Sequence, residues 1–400
     1  MKYIKYILIF FLLIPLNIKA DDIELNSKYA ILYDLDTNEI LLEKNSEEKI
    51  AIASLTKIMT TIVAIENIDD IKEEVTIPAY ALEDLIKLQA STAGFQVNQK
   101  VTYEDLLYGI MLPSGADAAK TVAYYISNGE EEYVKLMNNK AKELGLKNTK
   151  YYDTTGLNDN NYSTVTDVAE LLKYALKNDT FYKIFTTQNY ITTNNIELNS
   201  TLKYYTQNYP YQNDYIYGAK TGFTDVAGYC LASIAKDEDN NHFLLVTAKA
   251  PSETKYPYHF EDAINTYKYY TNEYHKLDIY NKNDIILSLD TKYSTKDKFE
   301  IKANNNLAKY VKNDINEDDI KLSYDGLNVV TPFTQKGKIG TLNILLNNEI
   351  IQSIDINYDG NLPISIPKLI KDYIFFIIPL ILIIFFIIKI SKKKKRKSHK

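Results

Sequence analysis

The stretch "YGAKTGFTDVAGYCLASIAK", Tyr217–Lys236, holds two β-rich runs on either side of a polar break. A third run, "HFLLVTAK" (His242–Lys249), follows at once. Short apolar runs this closely spaced read as neighbouring strands joined by tight turns. Downstream, His259–Tyr274 has the apolar spacing of a long helix. Upstream, "KYAILYDLDTNEILLEK" (Lys28–Lys44) reads as a hairpin turning at Asp36–Asn38. Between the hairpin and the strands the spacing predicts helices from Ser54 to Ile68, over Tyr103–Met111, Ala116–Ile126 and Glu130–Leu144, and over Thr166–Leu176, where Thr166 is a candidate cap. Two strands, many helices, several strands and a final helix predict an α+β domain over residues 24–276. Its antiparallel sheet is expected to be flanked by helices.

Three short segments carry candidate chemistry. Lys220-Thr221-Gly222 occurs once in the chain, at the end of a predicted strand. A strand edge there offers a cation, a hydroxyl and a close backbone approach, which suits a substrate carboxylate. Read blandly, it is a strand end with an exposed lysine. Ser-x-x-Lys occurs seven times, so the pattern alone says little. Only Ser54–Lys57 combines a helix start, an apolar continuation and an early place in the domain. Residues three apart share a helix face, which brings the Lys57 amine to the Ser54 hydroxyl. A serine becomes nucleophilic beside a base, and a lysine serves as base when burial lowers its pKa. The alternative is a capping serine and a surface lysine. Ser114, in "MLPSGADAAK" (Met111–Lys120), is either a second hydroxyl for proton relay or a plain helix cap.

The order of these elements narrows the reading. Ser54 precedes Ser114 by 60 residues, and Lys220 follows Ser114 by 106. With "MLPSGADAA", "TTGLNDNNYSTVTDVAELL" (Thr154–Leu172) and "GAKTGFTDVAGYCLAS", this order resembles the penicillin-recognising serine enzymes. Among them it is similar to the D-alanyl-D-alanine carboxypeptidases, the low-molecular-mass penicillin-binding proteins, over about residues 24–275. "PFTQKGKIGTLNI" (Pro332–Ile344) resembles the small β-domain that many of them carry. The resemblance implies a penicillin-binding/β-lactamase-like fold with Ser54 as nucleophile, Lys57 as its base and Ser114 as proton shuttle. It implies that Lys220, Thr221, Gly222 and Phe223 bind substrate, with the backbone N–H groups of Ser54 and Phe223 as oxyanion hole. The implied substrate is a peptidoglycan stem peptide ending in D-Ala-D-Ala, with β-lactams as covalent inhibitors and no cofactor. One position departs from the family pattern: Ala116 stands where an Asn is usual, so an amide that meets substrate and lysine is missing. Three other readings stay open: a β-lactamase, a DD-endopeptidase that cuts cross-links, and a wall-binding scaffold that is catalytically weak or inactive. The polar loop Asn158–Ser163 holds Asp159 but no Glu suited to rapid deacylation.

The chain ends determine where the body is expected to lie. Residues 1–20, with Lys2, Lys5, an apolar stretch over Ile7–Leu16 and Ala20, read as a signal peptide. Residues 373–390 form an apolar run able to cross a bilayer, with Pro379 inside it. The tail, residues 391–400, contains the basic block Lys392–Lys397, which the positive-inside rule keeps in the cytoplasm. The rest is then membrane-anchored on the extracytoplasmic face. Residues 277–362 alternate in polarity, broken by Asn, Asp and Gly, and read as a small β-rich domain and spacer, with Ile364–Lys371 as a link to the span. The net charge is −6, and residues 1–20 and 389–400 carry eleven basic groups and no acidic one, so the stretch between them is more acidic still. That balance argues against nucleic-acid binding. Cys230 is the only cysteine, so no intrachain disulfide forms, and it reads as a core residue. The four histidines are scattered without metal-ligand spacing, and no metal site is expected.

Overall fold

A computed structural model describes residues 23–209, 213–254 and 256–397. The expected signal peptide lies outside them. The chain forms two compact units, divided between Asn272 and Glu273.

The first unit is built on five antiparallel strands. These are β1 (Tyr29–Asp34), β2 (Ile40–Lys44), β3 (Ile216–Thr224), β4 (Gly228–Lys236) and β5 (His242–Ala250), in the order β2-β1-β5-β4-β3. The predicted runs at 217–249 are thus consecutive hairpins. Their register sets Cys230 opposite Gly222 and Ala232 opposite Lys220. Ala232, Ile234, Leu244 and Val246 join a core with the central helices. On the opposite face, Ser233 meets Tyr267 of the last helix at 2.9 Å. Helices therefore cover both faces, which is why these antiparallel strands are apolar almost throughout instead of alternating.

The helical layer comprises α1 (Thr56–Asn67), α2 (Tyr103–Met111), α3 (Ala116–Ser127), α4 (Glu130–Glu143), α5 (Val165–Ala175), α6 (Asp179–Thr186) and α7 (Thr201–Asn208). The first five follow the predicted apolar periods. The cap of α5 is Thr164 and not Thr166: its side chain accepts from the Asp167 N–H at 3.0 Å, because the helix begins at Val165. The sequence reading missed α6 and α7. Each spans only eight residues, about two turns, too short to show a period, although Asn178 and Ser200 cap them. Helix α8 (Tyr258–Glu273) closes the unit, one residue short of the predicted end, because Tyr274 pairs with Lys312 in the following sheet.

The second unit contains β6 (Tyr274–Tyr280), β7 (Ile285–Thr291), β8 (Lys298–Lys302), β9 (Leu307–Lys312), β10 (Ile320–Gly326), β11 (Gly337–Leu346) and β12 (Glu349–Tyr358). Phe299, Val330, Leu342, Ile344 and Tyr358 anchor a separate core. Helix α9 (Ile366–Lys397) follows. The segment read as a linker is helical from Ile366 onward, and Pro379 lies within the helix. Its stretch Ile366–Ser391 is 26 residues, or about 39 Å, long and apolar enough to cross a membrane.

Candidate active site

Ser54 lies on a 3-10 turn, Ala53–Leu55, that leads into α1. Its hydroxyl caps neither the turn nor the helix. It meets the Lys57 amine at 3.1 Å. Lys57 is only 2% exposed, so the surface-lysine alternative does not hold. Its Nζ also donates to the Thr155 carbonyl at 2.6 Å. Burial pulls the Lys57 pKa down to about 8, against a smaller upward pull from Asp153 and Asp117.

Ser114 occupies the turn between α2 and α3 with a positive φ of 64°. Gly115 beside it is tightly enclosed: a Cβ there would sit 2.7 Å from the Gly109 carbonyl and 2.8 Å from the Ala93 nitrogen. Lys220, fully buried on β3, donates to Ser114 Oγ at 2.9 Å and to the Thr221 carbonyl at 2.8 Å. Burial, and then the charge of Lys57, push the Lys220 pKa well down. Two amines buried within reach of each other's charge resist being protonated together. Lys220 is therefore not an exposed cation at a strand end but a buried amine held between Ser114 and the Thr221 carbonyl.

Gly222 brings β3 against the Ser54 turn. A Cβ at Gly222 would lie 3.0 Å from the Ser54 nitrogen. Thr221 Oγ1 donates to Thr201 Oγ1, at the first turn of α7, at 3.1 Å. Phe223 is 48% exposed, and its ring leans on Tyr229 with centroids 4.9 Å apart. The sequence-predicted residues are thus gathered into one place from the 3-10 turn and the first turn of α1, the α2–α3 turn and β3.

Sequence reasoning missed the loop that supports Lys57. The Asp153 carboxylate accepts from the N–H groups of Gly156, Leu157 and Asn158 at 2.9–3.2 Å, from Thr155 Oγ1 at 2.5 Å and from Asn161 Nδ2 at 2.6 Å. These bonds fold the loop so that the Thr155 carbonyl faces Lys57. Asp followed by Thr-Thr-Gly is a turn signal that could have flagged it. Asp159 accepts from Thr224 Oγ1 at 2.7 Å, which ties the loop to the end of β3. Ala116 is buried, and its N–H donates to the Ser91 carbonyl at 2.8 Å. Asp117 beside it accepts from the N–H groups of Ala93, Gly94 and Phe95. Cys230 is buried, and burial pushes its thiol up to about 11, which leaves it without thiolate character at neutral pH. Among the described residues no cluster of three His, Cys, Asp or Glu could hold a metal ion.

A family model described as D-alanyl-D-alanine carboxypeptidase matches residues 17–252. The chain belongs to the D-alanyl-D-alanine carboxypeptidase family. It is a serine-type enzyme of that class. D-alanyl-D-alanine carboxypeptidase DacF of Bacillus subtilis is 29% identical over 343 residues, which cover 83% of this chain and 85% of DacF. A D-alanyl-D-alanine endopeptidase of Escherichia coli is 27% identical over 213 residues, 53% of this chain and 68% of that protein. The fold matches penicillin-binding protein 5 of Haemophilus influenzae, with a TM-score of 0.67 at 23% identity over 83% of this chain and 96% of that one. It also matches the carboxypeptidase DacD of Francisella tularensis, with a TM-score of 0.70 at 22% identity over 87% and 96%.

Proposed function

We propose that this carboxypeptidase removes the terminal D-alanine from peptidoglycan stem peptides through an acyl-enzyme on Ser54. The observation that carries the reading is the half-buried Ser54 hydroxyl 3.1 Å from the buried Lys57 amine, whose pKa burial pulls down to about 8. When neutral, Lys57 accepts the Ser54 proton across the same 3.1 Å contact, while one of its N–H groups holds the Thr155 carbonyl. Ser54 Oγ then bonds to the carbonyl carbon between the two D-alanines. The oxyanion is received by the N–H groups of Ser54 and Phe223, donors of a kind that contribute roughly 3 kcal/mol each. As the C–N bond breaks, Ser114, bonded to Lys220, gives its hydroxyl proton to the departing D-alanine amine and takes from Lys57 the proton that left Ser54. The Thr221 hydroxyl receives the terminal carboxylate, next to Lys220 on the same strand. Water hydrolyses the ester, and β-lactams follow the first half of the same path.

Helix α9 anchors the chain, and the basic block after the span keeps its end in the cytoplasm, so the catalytic unit faces the wall. Relatives that act as endopeptidases keep cross-link cleavage as a second reading. Release of D-alanine from a linear pentapeptide, against cleavage of a cross-linked dimer, separates the two. The acyl-enzyme is tested by labelling the full chain in detergent with fluorescent penicillin over time, wild type beside Ser54→Ala. A lasting label absent from the variant is expected. A label that forms and quickly vanishes points to a β-lactamase, and no label on folded wild type to a scaffold.

A further inference from the structure

The second unit does not hang from α9 on a loose tether. The chain entering the helix is bonded to the loop after β7: the Ser365 N–H donates to the Tyr293 carbonyl at 2.8 Å and the Thr295 N–H to the Pro363 carbonyl at 3.1 Å. Ser294 and Ile364 form an antiparallel bridge. Two ion pairs tie the first helical turns to the same loop, Lys292–Asp372 at 3.0 Å and Lys368–Asp297 at 2.8 Å. The ring of Tyr373 lies 6.0 Å from that of Tyr293, and Tyr293 lies 6.5 Å from Phe333. Phe333 is 61% exposed. It projects from a turn closed by the Thr334 N–H on the Thr331 carbonyl at 3.0 Å.

Position along α9 assigns a depth to this aromatic group. Asp372 is the last charged residue before the apolar run, and the next is Lys389. Tyr373 is therefore the first residue of the run and belongs at the boundary of the hydrocarbon layer. The headgroup zone is roughly 5–7 Å thick on each side, and aromatic side chains collect in it. Tyr293 lies one ring step from Tyr373, and Phe333 one further step along the same aromatic row, exposed at its end. We infer that Tyr293 and Phe333 rest in the interfacial layer of the bilayer beside α9, so that the β-rich unit is seated on the membrane surface. Exposed aromatic rings are costly in water and favoured in that layer. The inference rests on the reading of α9 as a membrane span.

The chain has no tryptophan, so a single introduced indole reports alone. Phe333→Trp and, separately, Ile381→Trp in the middle of the apolar run would be made in the full chain and reconstituted in phosphatidylglycerol-containing vesicles. Penicillin labelling would check that each variant is folded. Lipids brominated near the glycerol are expected to quench Phe333→Trp and shift its emission to the blue, and lipids brominated deep in the chains to quench Ile381→Trp. A quenched Ile381→Trp with an unquenched, water-like Phe333→Trp overturns the seating and leaves the span intact. An unquenched Ile381→Trp overturns the span itself, and the seating with it.

Discussion

Lys57 carries the most consequence of any single side chain. Its burial depresses its pKa to about 8, so the amine is half deprotonated there. The acidic limb of kcat/KM for D-alanine release is expected to rise through about pH 8, and Lys57→Gln to lose roughly 10²–10⁴-fold in rate, both read by a pH profile. The same shift bears on stability. Between about 8 and the ordinary 10.5 the unfolded chain holds a proton that the folded one has lost, so this residue makes stability rise with pH across that window. His259 gives a test at acid pH. It is buried against Tyr229, with centroids 4.7 Å apart, and neither ring nitrogen finds a hydrogen-bond partner among the described residues. Burial lowers its pKa to about 3. As pH falls from about 6.5 toward 3, the unfolded chain takes up a proton that the folded one refuses, and stability is lost. His259→Phe keeps the stacked ring and is expected to lose less stability between pH 7 and pH 4, measured by urea unfolding. Ala116 lacks an amide, but Lys57 already has the Thr155 carbonyl as acceptor. One further hydrogen bond is worth about 0.5–1.5 kcal/mol, so Ala116→Asn is expected to alter kcat/KM by no more than roughly tenfold.

At the scale of elements, the loop from Asp153 to Asn161 packs against the Ser54 turn. Gly156 has φ of 81°, and a Cβ there would lie 2.0 Å from the Ala53 carbonyl oxygen. Ala53 itself holds φ of 45°. Gly156→Ala cannot be accommodated by moving a side chain, because backbone stands in the way. It is expected to cost at least on the order of 1–3 kcal/mol and to abolish penicillin labelling, read by a thermal melt beside the labelling assay. Little of this arrangement was legible in the sequence. The periods of α1 to α5 and α8 were visible because one face of each is continuously apolar. The two-turn helices α6 and α7 were not, although α7 supplies Thr201 to Thr221. The 3-10 turn at Ser54 was invisible too, since it depends on a loop about a hundred residues downstream.

For the whole molecule, the catalytic unit and the β-rich unit have separate cores, and the apolar helix follows the second. Truncation after Lys371 removes the apolar run but no residue of the catalytic unit. The shortened protein is expected to leave the membrane fraction and to retain penicillin labelling, measured by sedimentation and gel fluorescence. Label that still sediments with vesicles would mean that the β-rich unit itself holds the membrane strongly.

The sequence by itself determined the family, through the order of Ser54, Lys57, Ser114 and Lys220 along the chain. It also determined the apolar run near the C-terminus, because hydropathy over some 18 residues needs no partner to be read. Only the tertiary structure decided the state of the two lysines. Burial depends on what packs around a group: the loop that meets Lys57 at Thr155 covers it, while Lys220 on β3 is buried with its amine against Ser114 of the α2–α3 turn. A lysine three residues after a serine is commonplace. A lysine shut away from water, with its pKa pulled down, is a product of folding.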